Sequence, residues 1–233
     1  MLKAGFIILT LALALLLFVL SAVIANRAFT EVQKQKKFKI KTALVLIIWI
    51  TYISIVSLAG IFENASFPPR IPLLLVIPSF VMFIYFFTAG RFKTVIANTP
   101  ASWPVYFQSF RIFVELLILA AALKGILPKA ASFEGYNFDI VIGLTAPIVA
   151  VLLNNGKLKP ALLLAWNFAG LATLSMVVFI LISHAYFFKI WDQSESILNK
   201  GFGLFPFTFL AGFFMPLAVL MHIFSIIKTR QLK

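Results

Sequence analysis

Apolar residues run along this chain in seven long blocks, near 4–25, 42–62, 71–89, 104–123, 139–155, 161–187 and 204–227. Polar residues gather in the short segments between them. About 20 apolar residues coiled as a helix match the ~30 Å hydrocarbon thickness of a bilayer. The pattern predicts an all-α fold: one seven-helix transmembrane domain over residues 1–233. The fifth block is the shortest and contains Gly143 and Pro147. The first block follows Lys3 and superficially resembles a signal peptide. Its apolar run is too long for that, and Val23-Ile24-Ala25 is a poor cleavage site, so a retained helix is expected.

Composition narrows the class. Hydrophobic residues make up 62% of the chain and charged residues 12%, against about 25% charged in a soluble domain. Such a chain cannot cover a water-facing surface. Cysteine is absent, which excludes disulfides, thiolate metal sites and a cysteine nucleophile. The net charge of +13 does not indicate a nucleic-acid partner, because the basic residues lie mostly in short connections. Topology and contact with anionic lipid account for that placement better.

The Lys/Arg distribution gives an orientation. Arg27, Lys34, Lys36, Lys37, Lys39 and Lys41 follow block one, Arg91 and Lys93 follow block three, and Lys157 and Lys159 follow block five. Lys228, Arg230 and Lys233 form the tail on the same side. The other side carries fewer cations (Lys3, Arg70, Lys124, Lys129, Lys189, Lys200) and most acids (Glu63, Glu134, Asp139, Asp192, Glu195). The N-terminus is therefore expected outside and the C-terminus in the cytoplasm. The outer connections are expected to be structured. Pro68-Pro69 stiffens one, and Asn137 or Asp139 can cap the fifth helix by accepting a free backbone N–H. No internal repeat, linker or low-complexity tract is visible.

Charge at membrane depth is the main candidate chemistry, since an intramembrane ionisable group invites a functional hypothesis. Block four places Arg111 roughly 10 Å in from its cytoplasmic end, and Glu115 one turn further. Their spacing of four puts both on one face, with Gln108 continuing it. Arg before Glu is the weaker order for such a pair, so partners on neighbouring helices are expected. Asn167 beside Trp166, His222, and Tyr52 near Trp49 and Thr51 fall at similar depth. Arg111, Glu115, Asn167, His222 and Tyr52 are thus the candidate ligand-binding layer. The same groups can equally clamp helices through interhelical hydrogen bonds. His184, near the outer end of block six, reads as an interfacial residue, and Pro78, Pro147 and Pro216 as helix kinks.

Several signatures are missing. The last block has no lysine before Lys228 for a retinal Schiff base, and there is no His-Glu-x-x-His, Gly-x-Ser-x-Gly or Walker A motif. A Pro-Gln dipeptide of the small sugar-transporter type is also absent. No carboxylates are expected to pair in the membrane, and no cofactor or metal site is expected.

Ser109-Phe110-Arg111-Ile112-Phe113-Val114-Glu115, and Phe133-Glu134-Gly135-Tyr136-Asn137-Phe138-Asp139 running into Gly143-Leu144-Thr145-Ala146-Pro147, carry a resemblance. So do Trp166-Asn167-x-x-Gly170-Leu171, Phe205-Pro206-Phe207, and Pro216-Leu217-Ala218 with His222 and Ser225. From Pro68 onward the chain resembles an uncharacterised family of bacterial multi-pass inner-membrane proteins. The resemblance implies a seven-helix architecture in a bacterial cytoplasmic membrane and supplies no activity.

The functional expectation is a small-molecule or ion binder, a transporter or sensor more than an enzyme. In it Arg111 holds an anionic group, Glu115 balances or shuttles charge, and Asn167 and His222 orient the ligand. The alternative is a non-catalytic scaffold or accessory subunit whose basic segment 26–41 meets anionic lipid. A lipid-modifying enzyme is the third possibility and requires water at Arg111 or Glu115. The lipid bilayer is the expected partner, and the sequence specifies no protein partner or homo-oligomer.

Overall fold

The computed structural model describes residues 1–230, apart from the side chain of Arg91. That side chain and Lys233, both used in the charge asymmetry, lie outside the described residues. Helix accounts for 76% of the structure and strands for none, so the class is all-α. The α-helices are α1 Leu2–Ala28, α2 Val32–Leu58, α3 Ile77–Thr88, α4 Gly90–Ala97, α5 Trp103–Phe107, α6 Phe110–Ala122, α7 Asp139–Asn154, α8 Pro160–Tyr186 and α9 Met215–Arg230.

Among the described residues five segments are long and apolar enough to cross a membrane: α1, α2, Trp103–Ala122 (α5 with α6), α8, and Leu210–Arg230 ending in α9. Pro72–Thr88 and α7 are apolar but shorter. At 16 residues, α7 rises only about 24 Å. The seven apolar blocks thus become five full-length helices and two shorter ones. Many large apolar residues on α1 and α2 are exposed, among them Ile8, Leu11, Leu15, Ile47, Ile48 and Ile55. A surface of that kind fits lipid rather than water.

Two boundaries differ from expectation for a clear reason. The second block was expected to start at 42, yet α2 begins at Val32. Lysine and glutamine are good helix formers, so Lys34, Lys36, Lys37, Lys39 and Lys41 ride on the first turns of α2 instead of a loop. The segment after α3 is likewise helical. Val95 of α4 packs with Ile24, Ala25 and Phe38. Lys228, expected as a tail charge, is buried and donates to the Ile96 and Ala97 carbonyls at 3.1 Å each. A cation there complements the C-terminal end of α4, where α-helical N–H partners run out.

The short length of α7 has a structural cause. The connection 123–138 folds into the bundle, burying Leu127, Ala131, Ser132 and Asn137. Irregular backbone at such depth must satisfy its own polar groups. Here Tyr136 N–H donates to Ala130 O at 3.0 Å, Ser132 Oγ to Lys129 O at 2.9 Å, and Asn137 Nδ2 to Ala131 O at 2.9 Å.

Two of the three interior prolines are resolved in the same way. A proline removes the hydrogen bond that the carbonyl four residues earlier would accept. Just before Pro78 and Pro216 the helix widens into a π-turn, with Ile77 N–H bonding Pro72 O and Met215 N–H bonding Leu210 O. The carbonyls that Pro78 and Pro216 leave free are those of Leu74 and Gly212. Tyr52 Oη–H donates to Leu74 O at 3.0 Å, and Trp49 Nε1–H to Gly212 O at 2.9 Å. These two side chains stack on each other in α2, with ring centroids 5.3 Å apart. One aromatic pair therefore repairs two proline breaks on two other elements.

Tyr52→Phe should lower stability by about 1 kcal/mol, because Leu74 O loses the Tyr52 hydroxyl donor. In a Pro78→Ala background residue 78 regains an N–H for Leu74 O, and the cost of Tyr52→Phe should largely vanish. Detergent unfolding of the two single variants and the double variant measures this coupling.

Candidate functional site

The site is built on one face of α6. Backbone i→i+3 bonds (Gln108 N–H to Val105 O, Ser109 N–H to Tyr106 O, Arg111 N–H to Gln108 O) turn the chain from α5 into α6. That turn sets Gln108, Arg111, Glu115 and Ile118 inward, all buried. The buried stripe of α7 is Asp139, Ile142, Gly143, Ala146 and Ala150, mostly small residues. A Cβ on Gly143 would sit 2.9 Å from Ile112 Cγ1 and 3.0 Å from Ile112 N. Glycine there lets α7 lie directly against α6.

That approach brings Asp139, the first residue of α7, onto Arg111. Arg111 Nη2 and Asp139 Oδ1 form a buried ion pair. Nη2 also donates to Thr173 Oγ1 of α8 at 3.1 Å, and Nη1 to His222 Nε2 of α9 at 2.9 Å. Arginine has no acceptor, so His222 Nε2 must carry the lone pair and Nδ1 the proton. Nδ1–H accordingly donates to Asn167 Oδ1 at 2.9 Å. Asn167 Nδ2 donates to Ser225 Oγ at 2.9 Å and to Leu163 O at 2.8 Å. Gln108 Nε2 adds a bond to Ala218 O at 2.9 Å. A continuous polar chain thus joins α7, α6, α9 and α8 in a fixed donor order.

His222 sits where it does because residue 170 is glycine: a Cβ there would run into the imidazole. Trp166 closes the other side of the ring, with centroids 5.4 Å apart, and its Nε1–H donates to Thr145 Oγ1 of α7 at 3.0 Å.

Glu115 belongs to a separate branch. It accepts from Asn137 Nδ2 at 2.7 Å, and Asn137 Oδ1 accepts the Asp139 N–H at 2.9 Å. Asn137 is therefore the residue that satisfies the start of α7, and it also holds Glu115. Among the described residues Arg111 makes no ion pair with Glu115; its carboxylate is Asp139. Asp139 had been counted with the outer acids, which hid the pairing. The expectation that no carboxylates come together fails as well, since Glu115 and Asp139 line one cavity.

Of the predicted site residues, the structure joins Arg111, Asn167 and His222 directly and places Glu115 alongside through Asn137. Tyr52 is elsewhere, bonded to Leu74 O. Thr173, Asn137 and Asp139 were missed as partners. For Asp139 a signal existed: it shares a helix face with Gly143 four residues on, where a small residue permits close approach.

The cavity beside Arg111, Glu115 and Asp139 measures about 20 Å³, and its other walls are apolar, including Val114, Leu174 and Phe214. A water needs about 10–15 Å³, so one fits. Among the described residues Arg111 Nε and Gln108 Oε1 have no hydrogen-bond partner. Among the described residues no group of three His, Cys, Asp or Glu could hold a metal.

A family model described as a domain of unknown function (DUF8737) matches residues 68–230. The match takes in the whole Arg111 network and excludes α1, α2 and Tyr52. No curated protein and no solved structure matches.

Gly170→Ala should cost about 1–3 kcal/mol by forcing the His222 ring out of place. Gly90→Ala, with open space around it, should be close to neutral. Thermal unfolding of both variants in detergent checks the contrast.

Proposed function

We propose that this chain, which belongs to the DUF8737 family, is a multi-pass membrane protein whose Arg111 network clamps the bundle. On this reading it acts as a non-catalytic scaffold or accessory subunit. One observation carries it: the Arg111 guanidinium engages three other helices, through Asp139, Thr173 and His222. The space left beside it, about 20 Å³, is far below the roughly 300–1,000 Å³ of small-molecule pockets. An organic cargo at Arg111 would have to break the clamp before it could bind.

The transporter-or-sensor reading survives in a narrower form. Among the described residues Glu115 has only Asn137 as hydrogen-bond partner, and it borders the one-water cavity. That observation favours a proton or a water as the species handled there.

Removing one member of a buried ion pair strands the other, at a cost of about 3–5 kcal/mol, while replacing both with apolar residues is often neutral. Arg111→Met should therefore destabilise strongly, and Arg111→Met/Asp139→Leu should recover most of the loss in detergent unfolding. A double variant that stays as unstable as Arg111→Met would refute the clamp.

The topology belongs to the same proposal: seven crossings, N-terminus outside, in a bacterial cytoplasmic membrane. The Lys/Arg asymmetry supports it. The folded-in connection 123–138 completes the bundle where α7 is too short to do so. The lysines on the first turns of α2 then face anionic cytoplasmic lipid. Because the chain lacks cysteine, single Lys37→Cys and Glu134→Cys variants report sidedness cleanly. In intact cells an impermeant thiol reagent should label position 134 and spare position 37; the opposite pattern inverts the topology.

A further inference from the structure

A second cavity lies at the other functional extreme: larger, polar and unassigned by anything above. It opens where α6 and α8 finish. This is the end of the bundle at which α1 begins and α2 ends, since Gly5 abuts Leu117 and the Ile71 N–H donates to Tyr186 Oη at 3.3 Å. The lysine-rich start of α2 is at the opposite end. The cavity holds about 350 Å³ and is lined by Lys129, Lys200, His184, Gln193, Gly125 and Ile197 among others, with no carboxylate. That volume reaches the range of small-molecule sites, roughly 300–1,000 Å³.

Its donors are not neutralised by the protein. Lys129 Nζ lies 3.4 Å from Glu134 Oε2, but both side chains are largely exposed and such pairs are weak. Among the described residues Lys200 Nζ has only the neutral Gln193 Oε1, at 3.3 Å. His184 is 3% exposed, and its ring is held on two sides. Nδ1–H donates to Ile180 O at 2.8 Å, and the Trp191 indole stacks on it at 4.4 Å with a 23° tilt. Trp191 is itself fixed by an Nε1–H bond to Ser183 Oγ at 2.9 Å. The buried ring is thus fixed in orientation on the cavity wall, and Nε2 has no partner among the described residues.

We propose that this cavity binds a phosphate group. Two ammonium groups, an imidazole nitrogen and an amide converge from three segments: the 125–130 connection, the end of α8, and residues 193–200. Donors arriving from several directions suit a tetrahedral oxyanion, and lysine serves phosphate as a point charge. Nε2 accepts a phosphate O–H when the ring is neutral and donates to an oxygen when it is protonated. The group can arrive on an anionic lipid or as a free phosphate.

The test uses the full chain purified in detergent, titrated with inorganic phosphate and, separately, reconstituted in phosphatidylglycerol or phosphatidylcholine nanodiscs. Native mass spectrometry counts retained lipid, and thermal melting reads stabilisation. Binding of phosphatidylglycerol alone identifies a lipid headgroup, and binding of inorganic phosphate identifies a free anion. In either case Lys129→Gln/Lys200→Gln should weaken it about tenfold while melting like wild type without ligand. Should that variant fold poorly, Lys129→Gln alone, at an exposed side chain, must still weaken binding. Lys157→Gln/Lys159→Gln, just before α8 and at the far end of the bundle, should leave it unchanged. No binding of either probe, or equal loss in the Lys157/Lys159 variant, overturns the proposal.

Discussion

The Arg111–Asp139 ion pair is the constraint around which the rest of the bundle is arranged. A buried charge is expensive unless it is paired and its remaining donors are satisfied. Arg111 is 2% exposed, so its donors need partners inside the protein. Asp139, Thr173 and His222 engage its two terminal nitrogens, and each comes from a different helix. Meeting that requirement fixes the rotation of α7, α8 and α9 about α6 at once. Glycines follow from the same demand: Gly143 brings α7 to the pair, and Gly170 leaves room for the imidazole that receives the second guanidinium nitrogen.

A second set of polar obligations runs along α2. Proline in a membrane helix leaves a carbonyl that water cannot reach, so another side chain must serve it. Trp49 and Tyr52 do so for Gly212 and Leu74, which ties α2 to the rest of the bundle by specific bonds. Hydrophobic burial cannot supply that tie in lipid, where apolar surfaces have nothing to gain from leaving their surroundings. The family match begins at residue 68, and these bonds join a helix outside it to two elements within it.

The two cavities divide polarity in opposite ways. Next to Arg111 the polar groups consume one another and leave room for one water. At the end of the bundle the lysines and His184 face space with little protein opposite them. Intramembrane charge drew attention to the first, but unspent donors beside real volume mark the second as the better place for a ligand.

The all-α class, the approximate place of the long apolar helices and the candidacy of Arg111, Asn167 and His222 as interior polar residues were legible in the sequence. Apolar block length and the cost of charge in lipid are local properties, so one strand of text carries them. The identity of the Arg111 partner was not legible. Asp139 stands beside turn formers in a segment that looks like an outer loop, and only the folding of residues 123–138 into the bundle puts it at depth. Tyr52 was placed at a plausible depth but on the wrong face, because depth counting gives height along a helix and not rotation about it. Rotation is decided by packing between helices, and so tertiary structure alone assigned Tyr52 to a proline break, Asp139 to Arg111, and the lysines of two separate connections to one pocket.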